Sequence, residues 1–423
     1  MDTAQHWGGA GEDYRLARIA PVHEGGARPA AGAPRAGAEA PVWDVPHHRH
    51  SLPWFEMVLV AVGVAGVAVS FVSYARSGGI RPTLDMAALA LVPLAFVLAV
   101  LVWIDRWEPE PVWSKLVVLA WGAGVATLSA SVVNTAVLLD VAHTTGDVEG
   151  AMTTVALLVA PVAEETLKGL GVLVIVVWRR SSLNSVLDGV VYAAWCGAGF
   201  AFVENVQYFL QAIDQGSAAV GVTFVMRGLL SPFVHPIATS FTGAALAWSV
   251  VGSRSRLAWT WWGPLGWIGA VAFHGLWNFL AATSQGGSWV GAYVLVEMPI
   301  FAVWITVMLV ASAREGRRIA RGLTPYVRTG WLLPAEVPMV ATRAGRRGAR
   351  AWARTGGRDA GAAMRRFQVR AASLGLDQLI MARTGPQADR IAGDRGLLDG
   401  LASDRELFLR LTRLARAQRE MHP

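Results

Sequence analysis

Along the chain, apolar residues gather into eight runs of roughly twenty, the length a helix needs to cross about 30 Å of hydrocarbon. They lie near 54–74, 84–104, 113–139, 151–178, 188–210, 229–251, 257–281 and 289–312. The third, fourth and seventh are long, which predicts tilt or irregular ends. Pro232 and Pro236 interrupt the start of the sixth. The pattern predicts an all-α, polytopic membrane protein of about eight transmembrane helices, with a membrane domain over 51–312. Residues 1–50 are rich in Gly, Ala, Pro and Arg and have no apolar core. They read as a disordered arm without a cleavable signal peptide. Residues 313–423 turn polar and basic, with apolar residues near helical spacing in RRFQVRAASLGLDQLI (365–380) and DRELFLRLTRLARA (404–417). These two stretches read as amphipathic helices that lie on the membrane or pack together. The Gly/Arg/Ala run from Ala341 to Ala363 reads as a linker.

Composition sharpens this. The chain is 54% hydrophobic and 16% charged, well below the roughly 25% charge of soluble proteins. From Ser312 onward, 22 arginines face 10 acidic residues. Such a tail beside a membrane span predicts contact with anionic lipid on the cytoplasmic leaflet. Nucleic acid is not expected as a partner, because no nucleic-acid-binding signature accompanies the charge. Arg106, Lys115, Arg179, Arg180, Arg254 and Arg256 fall in alternate loops, so both termini are expected to face the cytoplasm. Arg76, Arg81 and Arg227 are the exceptions; Gln211–Arg227 reads as an opposite-side loop. The single Cys196 lies in an apolar segment and reads as packing.

Four consecutive spans hold polar groups that lipid rejects. The fourth carries Glu164, Glu165 and Lys168 in LLVAPVAEETLKG. The fifth carries Glu204, Asn205 and Tyr208 in GFAFVENVQY, the sixth His235 and Thr239 in HPIATS, and the seventh His274 and Asn278 in FHGLWN. At ~1.5 Å of rise per residue, each set sits about 22–26 Å from its cytoplasmic edge. Antiparallel helices therefore bring them to one layer in the outer half of the membrane. Lys168 lies one turn from both Glu164 and Glu165 and can partner either. Asp188 and Asn134 are isolated polar groups with no assigned role, and PHHRH (46–50) reads as a basic membrane-surface patch.

Three glutamates and one lysine leave an excess of two negative charges in low dielectric. A divalent cation, histidine protonation or a protonated carboxyl would relieve it. All three suit hydrolysis. A carboxylate with two histidines can hold zinc and leave a position open for water. Without metal, a glutamate can activate water while His and Asn stabilise the oxyanion.

These residues resemble the PrsW family of intramembrane proteases. EETLK is similar to that family's EExxK motif, FAFVEN to its FxxxEN, His235–Thr239 to an HxxxT-like element, and HGLWN to its last His/Asn motif. The family is in turn distantly similar to the CAAX prenyl protease and bacteriocin-processing group. The resemblance covers roughly 113–282 and implies an intramembrane endopeptidase, of metallo- or glutamic type, acting on membrane-anchored proteins. The family's known example makes the first cut in an anti-sigma factor on its outer side. On this reading the catalytic residues are Glu164, Glu165, Lys168, Glu204, Asn205, His235, His274 and Asn278. Glu164 is the favoured base and Lys168 holds it ionised. Glu204, His235 and His274 ligate zinc or polarise the carbonyl, and Asn278 donates to the oxyanion. Thr239 is expected to bond its own helix backbone, and Tyr208 to be an interfacial anchor or a site residue. A different class of function, an ion- or proton-coupled transporter with a carboxylate/histidine relay, fits the same buried charges.

Overall fold

The computed structural model describes residues 54–283 and 287–421. The 1–50 arm, including PHHRH, lies outside them. Seven helical runs among the described residues are long and apolar enough to cross a membrane: Trp54–Gly78, Ile80–Ile104, Val112–Thr145, Val186–Ile213, Ser217–Val251, Trp259–Thr283 and Val290–Arg328. The expected fourth span is helical too, over 148–178, but Glu164, Glu165 and Lys168 keep it out of the apolar set.

The chain divides into two compact units at 310/311. In the first, α1 (Trp54–Gly78) and α2 (Ile80–Ile104) precede α3 (Val112–Ala120) and α4 (Thr127–Thr145), which a π-helical turn, Trp121–Ala126, joins. A second such turn, Val155–Val159, separates α5 (Val148–Thr154) from α6 (Ala160–Trp178). Then follow α7 (Val186–Ile213), α8 (Ser217–Thr223), a π turn over Phe224–Leu230, α9 (Val234–Val251) and α10 (Trp259–Thr283). Next come α11 (Gly287–Ala292), a π turn at Tyr293–Glu297 and α12 (Met298–Gly322), within which the division between units falls.

Among the boundaries that differ from the sequence reading, two stand out. The third span runs on to Thr145. The sixth begins near Ser217, because 217–230 is helical and the chain breaks only at 231–233, around Pro232. Pro236 falls in the first turn of α9, where its missing N–H costs no helical bond. Arg227, expected in a loop, therefore lies on a helical turn of that span.

Helix α7 is the hub. It is buried along nearly its whole length and packs on α2, α3, α6 and α9. Its start is fixed by a capping box: the Asp188 amide donates to Ser185 Oγ at 3.3 Å and the Ser185 amide to Asp188 at 2.8 Å. That gives Asp188 a structural role. Glycines let α7 and α9 nearly touch, since a Cβ at Gly189 would meet the Gly243 carbonyl oxygen at 2.3 Å. A Cβ at Gly197 would meet the His235 carbonyl carbon and oxygen at 2.6 Å. Small residues of this kind allow close packing in lipid, where no hydrophobic force presses helices together. Cys196 is buried here, as its apolar surroundings predict.

The second unit holds α13 (Thr324–Arg328), α14 (Glu336–Ala341), α15 (Arg343–Arg354), α16 (Arg358–Thr384) and α17 (Ala388–Met421). The stretch expected to be a linker is largely α15, capped by Thr342, whose Oγ1 accepts the Gly345 amide at 3.0 Å. The two amphipathic stretches lie in α16 and α17 and pack together, with Phe367 edge-on to Phe408 at 5.5 Å between ring centroids. Ion pairs reinforce the contact: Arg390 with Asp377, both buried, and the more exposed Arg366 and Arg370 with the buried Asp404.

Candidate active site

Helix α6 presents Glu164, Glu165 and Lys168, all buried, to α9 and α10. Lys168 Nζ lies 2.8 Å from Glu165 Oε1, 3.4 Å from Glu164 Oε2 and 3.0 Å from His235 Nδ1. The Phe200 ring covers it, 3.7 Å from ring centroid to Nζ. Glu165 is saturated: besides the ammonium, it faces His274 Nδ1 at 3.0 Å and accepts from Thr239 Oγ1 at 3.0 Å. Thr239 thus serves a carboxylate, where its own helix backbone was expected. Glu164 is held more loosely, with Asn134 Nδ2 at 3.4 Å and His274 Nε2 at 3.8 Å. The two imidazoles meet nearly at right angles, 5.1 Å between centroids.

Tautomers follow from these partners. An ammonium has only donors, so His235 Nδ1 accepts and Nε2 carries the proton, which it gives to Glu204 Oε2 at 2.8 Å. His274 Nδ1–H donates to the Glu165 carboxylate, and its Nε2 faces Glu164 at 3.8 Å. Each histidine is thus oriented by its own carboxylate, the arrangement that commonly supports a metal ligand.

Glu164, His235 and His274 each offer one ligand atom, all within 4.8 Å of one another. Glu204, expected among the ligands, is not in this trio; its carboxylate is bound to His235 and Arg227. Donor chemistry fits a divalent ion, with one carboxylate, two imidazoles and a position left for water. A cation already marks the spot, because Lys168 Nζ approaches both His235 Nδ1 and Glu164 Oε2.

Asn278 does not point its amide at this trio. Its Nδ2 donates to the Ala156 carbonyl at 2.8 Å, in the π turn between α5 and α6. The expected oxyanion donor is therefore engaged in tying α10 to that turn. Two residues outside the sequence-derived set join the site. One is Asn134 on α4, whose Oδ1 has no partner among the described residues. The other is Arg227, which pairs with Glu204 and donates Nε–H to Asn205 Oδ1 at 2.9 Å. With both cations counted, the three glutamates exceed their partners by one charge, where the sequence reading left two. A lone amide in the third span and an arginine inside the apolar stretch FVMRGLL were the available signals.

Comparison with known proteins settles the class. Residues 110–304 match the model of the PrsW family intramembrane metalloproteases. That segment of the chain belongs to the PrsW family. No curated protein and no solved structure matches the chain. The family region contains all four helices of the site, α6, α7, α9 and α10, as well as Asn134 and Arg227. The enzyme is a multi-pass intramembrane protease, and the family assignment decides against the transporter reading of the same buried charges.

Proposed function

We propose that Glu164, His235 and His274 form the hydrolytic centre, acting on a peptide bond of a membrane-anchored protein. Their convergence within 4.8 Å among buried groups carries the reading. A divalent ion held by this trio would polarise water and the scissile carbonyl. Glu164 would offer such an ion one carboxylate oxygen and take the proton of the attacking water on the other. As the tetrahedral intermediate collapses and the C–N bond breaks, that proton passes to the leaving nitrogen. The water oxygen stays on the new carboxyl group. Lys168 and Thr239 fix Glu165, and Glu165 fixes His274. Asn134, beside Glu164, is the amide best placed to meet the substrate. A helical substrate must unwind to enter, because helical amides are protected by their own hydrogen bonds.

The finer substrate is a membrane-anchored anti-sigma factor cut on its outer side, in line with the family's known example and with the depth estimated from the sequence. Both termini on the cytoplasmic face agree with the loop arginines. Anionic lipid at the C-terminal unit is supported by Arg354, Arg358 and Arg365, which line a cavity of about 380 Å³. None of the three has a carboxylate partner among the described residues. Co-expression with membrane-anchored candidates tests the activity. Wild type should release the fragment, and Glu164→Ala and His274→Ala at equal protein level should not. Undiminished release by both variants ends the assignment.

A further inference from the structure

The motif Glu204-Asn205-Val206-Gln207-Tyr208 forms a three-walled socket, and Arg227 fills it. Glu204, Asn205 and Tyr208 are spaced to share one side of α7 near its end. The Arg227 guanidinium pairs with the Glu204 carboxylate and donates Nε–H to Asn205 Oδ1 at 2.9 Å. It also lies over the Tyr208 ring, 3.9 Å from the centroid. A carboxylate, an amide oxygen and an aromatic face are the three partners a planar guanidinium suits and an ammonium does not. Arg227 reaches them from the π turn Phe224–Leu230, just before the break at 231–233 that precedes His235. The same Glu204 Oε2 that Arg227 engages also accepts from His235 Nε2 at 2.8 Å.

We propose that Arg227 is a positioning residue of the protease. Acting through Glu204, it fixes His235 in the Nε2–H tautomer, so that the Nδ1 lone pair, which meets the Lys168 ammonium in this structure, is the one left to hold an ion. This rests on the reading that the trio is the hydrolytic centre, and it gives new roles to two motif residues. Asn205 holds the arginine instead of the substrate, and Tyr208 is the floor of the socket instead of an interfacial anchor. An uncompensated Glu204 would sit in low dielectric beside two further carboxylates, and the arginine removes that penalty. Charge balance alone, however, does not require a planar partner that also donates to an amide oxygen and stacks on a ring. That geometry indicates orientation.

The test compares Arg227→Gln, Arg227→Lys and the double variant Glu204→Gln/Arg227→Gln in lipid bilayers. The first readout is the 15N spectrum of His235, assigned by difference from His235→Gln, which reports the tautomer without needing activity. The second is affinity for cobalt(II), whose visible spectrum follows its ligands. The third is cleavage of a membrane-anchored reporter. Arg227→Gln should lose the wild-type tautomer signal, and both metal affinity and cleavage should fall about 10–100-fold, the usual range when a group that orients a ligand is removed. Arg227→Lys should keep part of each. The double variant removes the stranded charge, so its protein level should recover while tautomer and cleavage do not. Wild-type tautomer in Arg227→Gln overturns the proposal, as does a double variant that cleaves like wild type, since Arg227 would then only neutralise charge. A wild type that cleaves nothing sinks the hydrolytic reading, while the tautomer spectrum still decides the role of Arg227.

Discussion

Lys168, His274 and Thr239 all face or donate to the Glu165 carboxylate, whereas the neighbouring Glu164 has only contacts of 3.4 Å and beyond. Adjacent residues on a helix point about 100° apart, so two identical side chains receive different environments from one turn of α6. On the proposed function, the saturated one would be structural support and the loosely held one the group that moves a proton. Substitution by glutamine should separate them. Glu164→Gln should fold with near wild-type thermal stability and lose cleavage by about 10²–10⁴, the range for a general base. Glu165→Gln should lose cleavage and also stability, by about 3–5 kcal/mol, because it leaves the buried Lys168 without its nearest counter-charge. Melting temperature beside cleavage rate reads both. Equal melting losses in the two variants would contradict the division of labour.

At the scale of elements, the site depends on how closely α7 and α9 approach. Gly197 stands against the His235 backbone, and an added methyl must push α9 away from α7. Gly197→Ala should cost about 1–3 kcal/mol as overpacking. It should also lower activity, by lengthening the contact between His235 and Glu204 that spans the two helices. Gly393, on an open face of α17, is the control: nothing lies within 4 Å of a Cβ there, and Gly393→Ala should stabilise by about 0.5–1 kcal/mol. Cleavage at the wild-type rate in Gly197→Ala would show that the crossing does not set the site. Apolar run lengths made these helices legible, and four motifs at matching depth pointed to Glu164, Glu165, Lys168, Glu204, His235 and His274. Arg227 was hidden for a physical reason. Pro232 and a charge in one short stretch imitate a loop, and only the packed structure shows that α7 supplies the counter-charge that keeps Arg227 in a span. Glu204 looked like a metal ligand because spacing reveals proximity but not which partner each oxygen takes. Asn278 was misread likewise, because the π turn that exposes the Ala156 carbonyl leaves no mark in the hydrophobic pattern.

For the whole molecule, the two units respond to different conditions, and the C-terminal one carries a pH dependence of its own. Asp394 on α17 is buried, and burial, reinforced by the nearby Asp377 carboxylate, pushes its carboxyl up to about 9, while Arg390 and the Tyr326 hydroxyl pull the other way. An unfolded aspartate titrates near 3.9. Between about pH 4 and pH 9 the folded unit therefore holds a proton that the unfolded chain has released. Stability must fall as pH rises through that window, by up to about 1.4 kcal/mol per unit where the difference is complete. Amide hydrogen exchange along α16 and α17 in the full-length protein, corrected for the intrinsic pH dependence of exchange, should show protection declining from pH 5 to pH 9. Asp394→Asn keeps a neutral, similarly shaped side chain and should flatten the profile, raising protection most at the alkaline end. If the variant and wild type decline in parallel, the dependence comes from elsewhere in the unit. The same fold offers a second measurable response, through Arg354, Arg358 and Arg365. Binding of the full-length protein's C-terminal unit to vesicles rich in phosphatidylglycerol should weaken with salt and when the three arginines become glutamines. Because these arginines lie apart from the buried cluster around Asp394, neither change should alter the pH profile of protection.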